Sequence, residues 1–246
     1  MPDTRITKQK LKDHWSYSGK VYIIGALVAV ALASMFFTMV TNREPADMYS
    51  VNFAIVRSYS NTEQLNGVQD ALLAKGKEID PELKAVKFTS VMFDGNTSSQ
   101  DGYNYYQLYI LQLSAGSNDF FLQTEEMTRS LLLGGNLRPM EELEYFEQFV
   151  KNHPDAEIMW EKEPLPDGVE ENEDNADRPE HAYAISMENL GGAIEMQAFD
   201  NRGMYAGMLV SSANPETSLY VLDEFYNQLA PKEVTPEETV PEETRE

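Results

Sequence analysis

The chain has 246 residues, no cysteine and a formal net charge of −22. Lack of cysteine removes disulfide frameworks, thiol nucleophiles and thiolate metal sites. An acid excess on this scale repels nucleic acid and anionic lipid headgroups alike.

Residues 1–20 oppose this trend. They hold Arg5, Lys8, Lys10, Lys12 and Lys20 against Asp3 and Asp13, a balance of +3, which leaves −25 for the rest of the chain. Val21 to Val40 follow as twenty residues without a charge. At about 1.5 Å of rise per residue, such a helix covers the roughly 30 Å hydrocarbon core of a bilayer. A cleaved signal peptide has a shorter apolar region, about 7 to 15 residues, and ends in small side chains. This run ends in Met35-Phe36-Phe37-Thr38-Met39-Val40. The expectation is an uncleaved transmembrane helix over 21–41, with the basic residues 1–20 cytoplasmic and everything after residue 41 outside the cell. Trp15, Tyr17 and Tyr22 suit the inner interface. Gly25, Ala29 and Ala33, spaced four apart, form a small-residue stripe that would admit a partner helix; an Ala-rich span without a partner explains it as well.

Residues 42–50 read as a linker and 51–230 as the outer domain. Val51 to Arg57 predicts a buried strand, and Asn61 to Lys75 predicts a helix with Leu65, Val68, Leu72 and Leu73 at helical spacing. Ala85 to Phe93 predicts a second strand, Ser98 to Leu113 an aromatic-rich helix, and Asp119 to Leu122 a third strand. Thr124 caps a helix that runs to Leu133 and stops at Gly134-Gly135. Glu141 to Val150 then reads as a helix, followed by strands at Ala156–Trp160, Ala182–Met187 and Met204–Ser211. Pro215 starts a closing helix that runs to Leu229. This order predicts an α/β fold, a sheet with helices on its faces.

Two acidic segments interrupt the pattern. Glu161 to Glu180 holds three prolines and nine acids and reads as an exposed loop. Residues 231–246, PKEVTPEETVPEETRE, have no apolar periodicity and are expected to be disordered. Asp167 to Asp177 lacks the spacing of an EF-hand loop, so no calcium site is expected there.

Three stretches resemble bacterial extracellular solute-binding proteins. Asp119-Phe-Phe-Leu-Gln-Thr-Glu-Glu-Met127 leading to Leu131-Leu-Leu-Gly-Gly-Asn-Leu-Arg-Pro-Met140 is similar to a strand, helix and "G-x-L-x-P-L" ending of that family. Gly207-Met-Leu-Val-Ser-Ser-Ala-Asn-Pro-Glu216 before the last helix resembles its closing phrase, and Lys10-Leu-Lys-Asp-His-Trp-Ser-Tyr17 resembles the opening of short membrane-anchored relatives in Gram-positive bacteria. The resemblance implies a shortened lobe of the type II periplasmic-binding-protein kind. Two lobes and a lipidated cysteine, usual in the family, have no room here, so its substrate and ligand contacts do not transfer.

Chemistry-bearing motifs are scarce. His14, His153 and His181 have no zinc-ligand spacing, and there is neither a G-x-S-x-G elbow nor a Walker loop. Gly134-Gly135 and Gly191-Gly192 are read as turn and helix-stop glycines. Glu125-Glu126 and Glu141-Glu142 sit at predicted helix starts, where the macrodipole favours acids. Tyr103, Tyr105, Tyr106 and Tyr109 crowd one helix, either as a ligand or partner surface or as rings packed on the sheet. The sequence therefore points to a non-catalytic, membrane-anchored extracellular binding or interaction protein without cofactor or metal. It would be an accessory subunit of a cell-surface complex or transporter; a receptor presenting a small solute to an importer is the alternative, and an envelope hydrolase a weaker one.

Overall fold

The computed structural model describes residues 49–57, 59–165, 168–169, 172 and 175–230, together with isolated positions between 8 and 34. Backbone contacts divide the chain into Met1–Glu44 and Pro45–Glu246. In the first unit Ile24, Ala26, Val28, Ala29, Val30, Ala33 and Ser34 are helical and exposed. Gly25 and the other residues of the expected span, most of the cytoplasmic segment and the acidic tail lie outside the described residues. Among the described residues no helix is long and apolar enough to cross a membrane.

The second unit is an α/β fold built on a mixed six-stranded sheet. In chain order its elements are β1 (Ser50–Val56), a 3-10 turn (Thr62–Leu65), α1 (Asn66–Ile79), β2 (Ala85–Val91), α2 (Gln100–Ala115), β3 (Phe120–Thr124) and α3 (Glu125–Leu133). Then follow α4 (Phe146–Asn152), β4 (Ile158–Lys162), β5 (Glu180–Ser186), α5 (Gly192–Glu195), β6 (Met204–Met208) and α6 (Pro215–Leu229). The strands lie in the order β2-β1-β3-β6-β5-β4. β1 pairs parallel with β2 and β3, whereas the β3–β6, β6–β5 and β5–β4 pairs are antiparallel.

All seven residues of β1 are buried because helices cover both faces of the sheet. Val51, Phe53 and Ile55 point into a large core with α1, α4, α5 and α6, while Ala54 and Val56 point to a smaller one with α2 and α3. On the first face Phe53 stacks between Phe88 at 5.2 Å and Phe120 at 5.3 Å, and Phe225 of α6 closes over it at 5.5 Å. Four rings thus join three strands to the last helix. Helix α1 approaches α6 closely at Gly76: a Cβ there would lie 2.4 Å from Leu83 and 3.1 Å from Val221. That crowding explains a glycine inside a helix, where it otherwise costs about 1 kcal/mol relative to alanine.

The observed elements differ from the sequence reading at several places: a 3-10 turn precedes α1, the short α5 begins at Gly192, where a turn was expected, and β6 ends at Met208 and not at Ser211. The helix expected from Glu141 starts only at Phe146. Ahead of it, the Glu141 carboxylate accepts the Ala182 N–H at 2.8 Å and bonds the His181 ring, while Glu216 accepts the N–H groups of Glu144 and Tyr145. These tertiary bonds take acids and amides that a longer helix would need. The acidic loop also shrinks, since Glu161 and Lys162 end β4 and Glu180 opens β5 as an antiparallel pair. Gly135, at φ +66°, ends α3 as expected: it donates to the Leu132 carbonyl while Asn136 donates to Leu131.

Candidate functional site

The parallel half of the sheet places a cleft at its carboxyl end. From β1 the chain crosses by way of α1, on one face, to β2; it returns by way of α2, on the other, to β3 on the far side of β1. Such a reversal leaves a crevice beyond the strand ends, the usual ligand position in open α/β sheets. A cleft of about 580 Å³ opens at this end of the sheet between α2 and α3, with the loop after β2 along its rim and Thr124 at the end of β3 in its wall.

Phe93 and Tyr109 form its buried floor, Tyr106 and Met127 are half-buried beside them, and Asp94 and Glu126 stand exposed at the mouth. Phe93 lies 5.7 Å from the Tyr106 ring at 52° and 5.5 Å from the Tyr109 ring at 35°. Tyr109 also meets Phe121 edge-on at 5.7 Å and donates a 3.2 Å hydrogen bond to Gln123 Oε1. Burial raises its hydroxyl to about 12, against the opposing effect of the Gln123 bond, so Tyr109 stays neutral at physiological pH. Gln123 Nε2 is buried without a hydrogen-bond partner among the described residues.

Polar groups at the rim are held by local geometry. Asp94 Oδ1 accepts the Asn96 N–H at 3.0 Å, Asn96 Oδ1 accepts from Ser98, and Ser99 caps α2 by accepting from Gly102. Thr124 caps α3 through the Met127 N–H. Glu125 is paired with Arg129 at 2.8 Å, while Glu126 beside it has no ion pair or hydrogen bond among the described residues. Among the described residues no lysine, arginine or histidine lines the cleft.

The four tyrosines of α2 separate by position. Tyr109 is core, Tyr106 lines the cleft, Tyr105 lines a side pocket of about 160 Å³ that shares Asp94 and Asn96 with it, and Tyr103 is half exposed. Leu108 and Leu111 are exposed at 55 % and 63 %, and from Gly102 to Ala115 the helix has no charged side chain. The structure brings Phe93, Asp94, Glu126 and Met127 to the same place; of these the sequence reading named only Glu126, as one of two acids at a helix start, and assigned none of them to a site. The available signal was the position of Phe93-Asp94-Gly95-Asn96 at the end of a parallel strand. Ala29 and Ala33 belong to the first unit and Gly25 lies outside the described residues.

The remaining buried polar clusters join elements to one another. Asp223, nearly inaccessible, accepts from Tyr145 at 2.7 Å and Asn152 at 2.8 Å and lies 2.5 Å from His153 Nε2, tying α6 to α4. Among the described residues no group of three histidine, aspartate or glutamate side chains is placed to hold a metal ion. No protein-family model, curated protein or solved structure matches the chain.

Proposed function

We propose that this chain is a single-pass, membrane-anchored extracellular binding protein, an accessory subunit that holds a neighbouring membrane protein at the cell surface and acts without turnover. The observation that supports this reading is the outer face of α2. Exposed apolar groups of this size, here Tyr103, Leu108 and Leu111, are costly to leave in water and are typical of contact surfaces. They lie on the uncharged part of the helix, Gly102 to Ala115, in a strongly acidic chain, so a partner that docks there is apolar at the contact and basic at its rim. The basic residues before Val21 and the apolar run after them support the anchor and its orientation. The resemblance to shortened solute-binding proteins agrees with an outer domain that binds.

A photo-crosslinking residue at Leu108 or Leu111 in the native host tests the proposal. It should give one discrete adduct with a membrane protein, and the same probe at exposed Lys77 on α1 should give none. Equal labelling from all three positions, or no adduct from Leu108 and Leu111, overturns it. The cleft between α2 and α3 favours a second reading, a receptor for a small solute, because its place beyond the parallel strands is where such folds hold ligands.

A further inference from the structure

We infer that the cleft between α2 and α3 binds a small organic cation, a protonated or quaternary amine. The inference rests on the receptor reading and assigns its ligand class.

Charge is the first argument. Asp94 uses one carboxylate oxygen to close a turn on Asn96, and Glu126 has no protein partner among the described residues. With no base in the lining, an anionic ligand meets only repulsion. A neutral ligand would cover these carboxylates without compensating their lost hydration, whereas a cation compensates it directly. The amino end of α3, which elsewhere would attract an anion, is already occupied by the Thr124 cap and by Glu125 and Glu126.

The rings supply the second argument. Phe93 packs against Tyr106 at 52° and against Tyr109 at 35°, and the three rings line one corner of the cleft, with Tyr106 the least buried of them. Aromatic rings beside carboxylates attract alkylammonium groups through the ring quadrupole, and the attraction grows as the site is desolvated. The hydroxyls of Tyr106, Thr97 and Ser130 offer acceptors for ammonium N–H groups. The cleft volume of about 580 Å³ lies within the usual range for small-molecule sites. Substituents on the amine extend toward the side pocket lined by Asp94, Asp101 and Tyr105, which is again acidic and aromatic.

Isothermal titration of the full chain in a nonionic detergent tests the assignment, with choline and spermidine as cations, glucose as a neutral probe and glutamate as an anion. At least one cation should bind saturably. Glu126→Gln and Tyr106→Leu should each weaken that binding by about tenfold. Glu126 is exposed, so its variant should keep the parent's melting temperature, and Tyr106→Leu keeps an apolar side chain against the core beneath α2 so that the chain stays folded. Saturable binding of glucose or glutamate but of neither cation overturns the cation assignment and leaves the receptor reading standing. Silence from all four probes with a folded chain overturns both. Cation binding that neither substitution alters overturns the location.

Discussion

Asp119 and Ser212, 93 residues apart in the chain, share a buried 2.6 Å hydrogen bond from the serine hydroxyl to Oδ1. The other carboxylate oxygen accepts the Asn52 N–H at 2.8 Å, so one side chain ties β1, the start of β3 and the turn into α6. Two stretches that look independent in the sequence, Asp119-Phe-Phe and Ser211-Ser-Ala-Asn-Pro-Glu216, are halves of one joint. Glu216 extends it by accepting the amides that precede α4.

Breaking this joint should cost stability in two steps. Ser212→Ala removes one bond to a charged acceptor and should lower the unfolding free energy by about 1.5–3 kcal/mol. Asp119→Ala should cost more, because it leaves both the Asn52 N–H and the Ser212 hydroxyl without their acceptor. Urea unfolding of both variants measures the difference; Asp119→Ala as stable as the parent would remove the joint from the stability argument.

Asp223 predicts a pH dependence. Burial, the largest influence, pushes its carboxyl up, but hydrogen bonds from His153, Tyr145 and Asn152 together hold it below its ordinary value of 3.8. A depressed folded-state value contributes stability that is present above about pH 3.8 and is lost as pH falls through the lower folded value. Asp223→Asn should therefore be destabilised at pH 7 by about 1.5–3 kcal/mol. The gap from the parent should narrow in the acid range. Urea midpoints at pH 7 and pH 3 check the sign, and a gap that widens in acid would contradict it.

Tyr105 and Tyr109 lie one helical turn apart, yet the structure gives them opposite roles. Tyr109→Ser empties a buried aromatic position and should cost about 3–5 kcal/mol, as large-to-small core changes do. Tyr105→Ser, at a position 37 % exposed, should stay within about 0.5 kcal/mol of the parent. Thermal melts of the two single variants separate them, and similar melting temperatures would mean that α2 is not seated as described.

The proposed orientation predicts a protease pattern. Protease added to intact cells should digest the chain beyond residue 49 and leave a tag at the amino end protected. Protection of the outer domain, or a mature chain that starts near residue 40, would overturn the anchor.

Much of the element order was legible in the sequence because it depends on local patterns. The capped helix from Thr124 to Gly134, the proline-started helix Pro215–Leu229 and the first three strands follow from periodicity, caps and breakers, while the parallel pairing of those strands is seen only in the structure. The cleft was less legible. Phe93, Tyr106 and Glu126 come from a loop and two helices, and nothing local says that they share a wall.

By itself the sequence determined the charge asymmetry around the apolar run, the absence of thiol chemistry and the alternation of strand and helix that makes an α/β fold. Tertiary structure alone decided that β6, last in the chain, sits inside the sheet between β3 and β5, turning its second half antiparallel. It also decided that Tyr109 is core while Leu108 beside it faces out, and that Glu141 and Glu216 serve neighbouring segments instead of their own helices. The physical reason is range: caps and periodicity act within a few residues, whereas burial and hydrogen-bond pairing depend on which distant segments the packed sheet brings together.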